Sequence, residues 1–432
     1  MGSSLQSSML SRAEGAPAWL SDVQARGRAV WDKTPMPTRR TEAWKYNNLK
    51  PLQTTFSAAT GPASVSLPAA SYPELAGTTL VFIDGLYRED LSQVSLPEGA
   101  RLVRFADADA PDSTAILERL GTAVNHDRHL FAPLNDATLA DGVQVTIDKG
   151  VVVGDPIQVI WATSGEFENV GVTQRLLFEM SPNSQATLVE TFVNLGSAAA
   201  FTNGISELLL QDNAQLNHYR LHLEEEEGLH VGGVHAVLGS HATLNSFHLA
   251  LGSLLKRIDV TVQHEGEGAH CEINGIYLPR GDEQIDYHTC IEHAVPHCTS
   301  SETFRGIVAD SSRAVFNGRI HIHPDAQKTF AELSNKNLLT SHKAEVYTKP
   351  ELEIYADDVQ CAHGATVAQM DATALHYLRT RGVPAAEAEV MLSYGFINEV
   401  VETVRCDGVR DFLKPLLAHR FARNPNLTRH IL

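Results

Sequence analysis

The phrase NSQATLVE at residues 183–190 recurs in altered form as NAQLNHYR at 213–220, SHATLNSF at 240–247 and GAHCEING at 268–275. Aligned on Ala186, Ala214, Ala242 and Ala269, the phrases stand 28, 28 and 27 residues apart. Before each lies an alternating apolar run: Leu176, Phe178 and Met180; Leu208 and Leu210; Val234, Ala236 and Leu238; Ile258, Val260 and Val262. Period-two alternation turns one face of a strand toward a core. A fixed period of this length signals stacked supersecondary units, which a sandwich has no need of. Each unit holds two strands and two turns. CEINGIYL and AVFNGRIHI are offset by 43 residues, one and a half units, so a single strand and turn is the half-unit.

The expected fold is therefore mainly β, with a right-handed parallel β-helix, or β-solenoid, as its core. β-branched alternation broken by Gly, Asn, Ser and Asp begins near Gly142, which places the core at residues 142–365. Coils left uncovered at either end expose unpaired strand edges, so caps or a partner are required.

The flanks read differently. Leu20, Val23, Val30 and Trp31 keep helical spacing, and Pro35 and Pro37 end that helix. The segment 79–91 reads as a hairpin around Asp84-Gly85, and 112–139 returns to helical spacing, making 1–141 an N-terminal helical and mixed α+β region. Residues 366–432 form a C-terminal helical domain. There Asp371 caps a first helix, Gly382 ends it, and Pro384 opens a second whose face carries Val390, Tyr394, Ile397, Val401 and Val404. Val409, Phe412, Leu413, Leu416 and Leu417 mark a third. Met391, Leu392, Phe396 and Val400 lie off the main stripe of the second helix, so a second face is available to a partner.

Of the 432 residues, 34 are Lys or Arg and 52 are Asp or Glu, leaving a net charge of -18. No basic block tracks a phosphate backbone, which argues against nucleic acid and anionic membranes as partners. No run approaches the roughly 18 apolar residues of a membrane span, and MGSSLQSS lacks the apolar core of a secretory signal. A cytoplasmic location is expected. The 5 cysteines include no CxxC pair, so reduced thiols are the default.

Several groups could carry chemistry. In DDVQCAHGAT at 357–366, Cys361 and His363 share one face of an extended strand, two soft-to-borderline ligands where a closed tetrahedral site needs four. Equally, Cys361 is a buried structural residue beside a capping His363, with Gly364 turning into a helix. His321 and His323 form an HxH, yet the next carboxylates in sequence, Asp325 and Glu332, do not complete a cupin-like motif. His288, Cys290, His293, His297 and Cys298 are dense but match no zinc module. The histidines from 264 to 323 read as exposed strand positions. Asp282, Glu283 and Asp286 are candidate surface acids for a stand-alone β-helix carbohydrate-active enzyme, with solvated turn acids as the ordinary explanation. GxSxG, P-loop and GxGxxG motifs are absent.

Three stretches carry a resemblance: RTEAWKYNNLKPL at 40–52, the run from FNGRIHIHPDAQKT to YADDVQCAHGATV at 316–367, and LHYLRTRGVPAAEAEVMLSYGFINEVVE at 375–402. Together they resemble the SufB/SufD scaffold family of the SUF iron-sulfur cluster assembly system, with CAHGA in the form of the SufD branch. The resemblance implies a non-catalytic scaffold subunit. It implies a heterodimer with SufB through the β-helix sheets and C-terminal helices that dock the ABC-type ATPase SufC; the exposed solenoid edge itself makes a homodimer available when SufB is absent. It implies His363 as a metal ligand at the SufB interface, for iron or a transient iron-sulfur cluster shared with SufB, with Cys361 as the weaker candidate. The cysteines thought to carry the nascent cluster in SufB have no counterpart here, which leaves open a purely structural scaffold half with all ligands in SufB.

Overall fold

A computed structural model describes residues 16–421, together with Leu5, Ser8 and Met9. After β1 (Thr78–Ile83), β2 (Leu86–Tyr87) and β3 (Ala100–Arg104), the chain enters β4 (Val143–Ile147), β5 (Ile157–Thr163), β6 (Val170–Met180) and β7 (Gln185–Asn194). It continues through β8 (Ala200–Leu210), β9 (Gln215–His222), β10 (Gly228–Leu238), β11 (Thr243–Leu251), β12 (Leu255–His264) and β13 (His270–Leu278). The last strands are β14 (Gln284–His293), β15 (Thr299–Val308), β16 (Arg313–Ile322), β17 (Phe330–Leu339), β18 (Glu345–Ile354) and β19 (Gln360–Gln369).

Successive strands alternate between two sheets. One runs β18-β16-β14-β12-β10-β8-β6-β4-β3 and the other β19-β17-β15-β13-β11-β9-β7-β5-β1-β2. Neighbours are parallel from β4 and β5 onward. This is the predicted solenoid, with about 8 turns. The apolar runs read from sequence, including Leu176, Phe178, Leu208, Val234, Ile258 and Val260, all lie in the core between the sheets. CEINGIYL and AVFNGRIHI fall in β13 and β16, on opposite sheets, as a half-unit offset requires.

The repeat itself has a corner as its cause. Asn183, Asn213, His241, Gly268, His297 and Lys328 all take positive φ, between 56 and 73°. Each donates its backbone N–H to a carbonyl one coil further on, at Asp212, Ser240, Glu267, Pro296, Gln327 and Asp358. Left-handed backbone costs an ordinary side chain roughly 1–2 kcal/mol, and Asn and Gly tolerate it best. The residue that follows is small and buried: Ser184, Ala214, Ala242, Ala269, Cys298 and Thr329. The corner also corrects the sequence alignment. Ala186 pairs with Leu216, not Ala214, so the first two phrases are out of register by two residues. Ser184 stands where the later coils have alanine.

Parallel pairing carries β1 onto β5, so the segment before 142 contributes a strand to the solenoid. The Asp84-Gly85 hairpin is present, with φ of 53 and 82° as a two-residue primed turn needs. Helix α1 (Ser21–Trp31) forms as predicted, but Val30 is 48% exposed and lies off its buried face. Helical spacing at 112–139 resolves into α2 (Ala110–Arg119) and α3 (Ala132–Thr138), separated at Gly121, whose φ is 83°. Gly27 lets α1 approach α3: a Cβ there would lie 2.5 Å from the Ala137 nitrogen.

Helices α4 (Ala372–Thr380), α5 (Ala385–Val401) and α6 (Asp407–Phe421) follow β19. Asp371 accepts from the Thr373 N–H, giving the predicted cap. Ile397, Val400, Val401, Val404, Val409, Leu413 and Leu417 pack on the outer face of the odd-numbered sheet, against Tyr219, Leu221, Phe247, Leu249, Ile276 and Leu278. Val400, off the main stripe in sequence, thus belongs to the buried face. Met391, Leu392 and Phe396 stay half-buried.

Candidate functional site

The solenoid ends without a roof. β18 and β19 are the terminal strands of the two sheets, each paired on one side only. In β19, Cys361 and His363 continue the column of Ala331 and Leu333, which belong to the core. Cys361 is half-buried against that core, whereas His363 is exposed because no further coil stacks on it. The strand runs on to Gln369, so Gly364 is mid-strand and does not turn into a helix. Burial pushes the Cys361 thiol up, against the depressed value a reactive thiolate needs. The rim beside these residues is apolar: Phe330 is 39% exposed, Ile354 40%, Tyr355 63% and Val367 46%. Among the described residues, Cys361 and His363 belong to no three-ligand group within one chain.

The RTEAWKYNNLKPL stretch docks on the outer face of the even-numbered sheet of its own chain. Asn47 donates to Asp286 at 2.6 Å, Arg257 donates to the Ala43 carbonyl at 2.6 Å, and Tyr46 stacks on Tyr347 with ring centroids 4.1 Å apart. Beneath it lies a cleft of about 340 Å³ that includes Arg128, Asp259, Cys290 and Arg319 in its walls.

The His/Cys-rich segment does not form one centre. His288 and Cys290 face outward from β14, while His293 is turned inward, its ring stacked on His264 at 4.4 Å. Desolvation holds His264 down near 4 and His293 near 2. The expectation of exposed strand histidines thus fails at His264 and His293, and outside that stretch His218, His222, His230, His235 and His248 are buried too. All but His235, which packs on His129 at 4.4 Å on the outer face of the even-numbered sheet, sit where the lumen is polar. Arg220 donates to Glu190 at 2.8 Å and to Ser206 at 2.7 Å, His218 lies 3.1 Å from Glu190, and Lys256 donates to the Glu224 and Leu251 carbonyls. His222, Glu224 and His230 have ligand-like spacing, but His230 Nδ1 is already 2.7 Å from Glu224 Oε1 and the Lys256 ammonium 3.3 Å from Oε2, so the carboxylate is satisfied within the protein. No periodicity signal separates a lumen-facing histidine from a solvent-facing one, because both occupy alternate strand positions.

The three candidate acids do not converge. Asp286 is buried and paired with Arg257 at 2.9 Å, Glu283 is held by Arg420 at 2.7 Å, and Asp282 is an exposed turn residue. No helix among the described residues is long and apolar enough to cross a membrane.

Fold and site define a two-sheet β-solenoid with an open last coil that presents an imidazole and an apolar rim. The chain belongs to the SufBD family of the SUF system for FeS cluster assembly: residues 162–396 match its core domain and 7–159 its N-terminal region. It is 32% identical over 381 residues to the iron-sulfur cluster assembly protein SufD of Escherichia coli (strain K12), covering 88% of each chain. A SufBD family protein of Synechocystis is 28% identical, with 89% of this chain and 87% of that one covered. The SufD protein of Bacillus subtilis (strain 168) is 25% identical over 94% of both.

Proposed function

We propose that the chain is a non-catalytic scaffold subunit of a SufB-SufC-SufD type complex, contributing His363 as an interface ligand for iron or the nascent cluster. The observation that carries this is the open coil. An unpaired pair of parallel edges with an apolar rim is an aggregation hazard unless another chain continues the sheets, and a SufB-type solenoid of the same family has the matching edges. Without it, a second copy of this chain is the available substitute.

His363 lies exposed on that face, in register with the core residue Leu333. A neutral imidazole donates one ring nitrogen, and the remaining ligands, above all thiolates, come from the partner. Cys361, held as a thiol against the core, is the secondary candidate. The unit at 366–432 is the ATPase-docking element: α4 buries none of its residues, Tyr377 is 58% exposed, and Met391 and Leu392 remain half-covered. Nucleotide-driven movement of the ATPase alters the interface only if its contacts differ between the two states. The complex works in the cytoplasm.

Co-expression with SufB- and SufC-type partners, followed by size-exclusion and iron and sulfide analysis, tests this. His363→Ala is expected to leave folding and complex assembly intact and to lower cluster yield by about tenfold or more, the scale of losing one ligand-shell contact. An undiminished yield on the intact complex would favour a purely structural half with every ligand in the partner.

A further inference from the structure

We propose that Glu292, His321 and His323 form a binding site for one first-row divalent cation on the outer face of the even-numbered sheet. The HxH of β16 lacked a carboxylate in sequence. Parallel register supplies one from the preceding coil, since Glu292 of β14 is the direct partner of His321. His321 near the end of β16 and His323 just past it share the face with Glu292, while Ile322 between them fills the core.

The distances fit an ion between the groups better than contact among them. His321 Nδ1 lies 4.0 Å from Glu292 Oε1, and His323 Nε2 lies 4.0 Å from Oε2. That is too long for a hydrogen bond and leaves room between the groups for an ion, which a small side-chain shift would bring to the about 2.0–2.2 Å of a metal–ligand bond. All three donors lie within 4.8 Å of one another. A second observation points the same way. Both imidazole nitrogens are buried, and neither has a hydrogen-bond partner among the described residues, a state that costs free energy unless a ligand fills it.

The surroundings position the carboxylate. Arg128 donates to Glu292 Oε1 at 3.0 Å, leaving Oε2 toward His323. Arg319 forms a bidentate pair with Glu353 at 2.6 and 2.8 Å and also reaches Glu292 Oε1 at 3.5 Å, so both arginines hold the same carboxylate oxygen and Oε2 stays available. Cys290 lies 3.7 Å from Glu292 but is not among the three donors that lie within 4.8 Å of one another. Two imidazoles and one carboxylate with further positions open to solvent suit Fe²⁺, Co²⁺ or Zn²⁺ in exchangeable binding. The site is separate from His363 and does not rest on the scaffold reading.

The test uses the untagged full-length chain, stripped of metal. Titration with Co²⁺, read by visible absorption, and with Zn²⁺, read by calorimetry, is expected to show one equivalent bound. His323→Ala and Glu292→Gln should each weaken binding by about tenfold or more while unfolding at the wild-type temperature without metal, and His363→Ala should leave it unchanged. Anaerobic Fe²⁺ competition against Co²⁺ ranks the physiological candidates. Absence of saturable one-to-one binding by the wild type, or equal affinity in folded His323→Ala, overturns the assignment.

Discussion

Arg220→Met is expected to lower the unfolding free energy by about 3–5 kcal/mol, the scale of stripping one partner from a buried ion pair. Arg220 and Glu190 are both fully buried in the lumen. The guanidinium donates to Glu190 at 2.8 Å, to Ser206 at 2.7 Å and to the Gly204 carbonyl at 3.3 Å, and it lies 4.5 Å from the Phe192 ring centroid. Removing it leaves the carboxylate with Ser206 at 2.6 Å and His218 at 3.1 Å, two contacts that do not neutralise its charge. Desolvation alone would raise the Glu190 pKa, yet Arg220 and His218 hold it near 2. A depressed carboxylate contributes stability above its unfolded pKa and loses it as pH falls through the folded value. In the variant desolvation is no longer opposed by the guanidinium and raises the Glu190 carboxyl, so the destabilisation is fullest at neutral pH and shrinks as pH falls and the carboxyl takes up a proton. Urea unfolding followed by far-ultraviolet circular dichroism measures the effect. The double variant Arg220→Met, Glu190→Gln should recover most of it, and a single-variant loss under roughly 1 kcal/mol, the range of a surface pair, would contradict the burial argument.

Glu302→Gln is expected to stabilise the chain by about 3 kcal/mol at pH 8 and by almost nothing at pH 4.5. Glu302 is 1% exposed, and neither of its oxygens has a well-formed hydrogen bond. Desolvation raises its pKa to about 7, with the Thr289 hydroxyl opposing weakly. Because the folded value exceeds the unfolded one, the contribution is complete at low pH and is lost as pH rises through 7. The buried histidines act in the opposite direction. His264 near 4 and His293 near 2 stay neutral in the fold, so unfolding gains protons as pH drops below the free histidine value. Melting temperatures of wild type and variant across pH 5–9 should therefore diverge only on the alkaline side. A constant offset would mean that packing, and not charge, governs this position.

Much of the fold was legible because a solenoid writes its geometry into the chain as a period. The corner residues from Asn183 to Lys328 need left-handed backbone and a small buried follower, and both demands show as residue types at intervals near one coil. The exception is instructive: Ala186 was matched to Ala214 because alanine recurs there, yet Ser184 fills the corner in that coil. Small size was selected, not identity. The helical tail was equally legible through Asp371, Gly382 and the apolar spacing after Pro384.

Cys361 and His363 were visible in sequence as a pair on one strand face, and only the tertiary structure showed that the coil that bears them is the last one. Glu292 beside His321 and His323 was invisible, because parallel register joins residues a full coil apart with no local mark. Which histidines point into the lumen was likewise undecidable, since alternation fixes that a side chain faces one of two sides but not which side holds the core. Chain-local chemistry, meaning turns, caps and strand period, sets the repeat and hence the architecture. The pairing of charges in the lumen, the third ligand on the outer sheet and the bare edge at the end depend on distances between coils, and only stacking decides those.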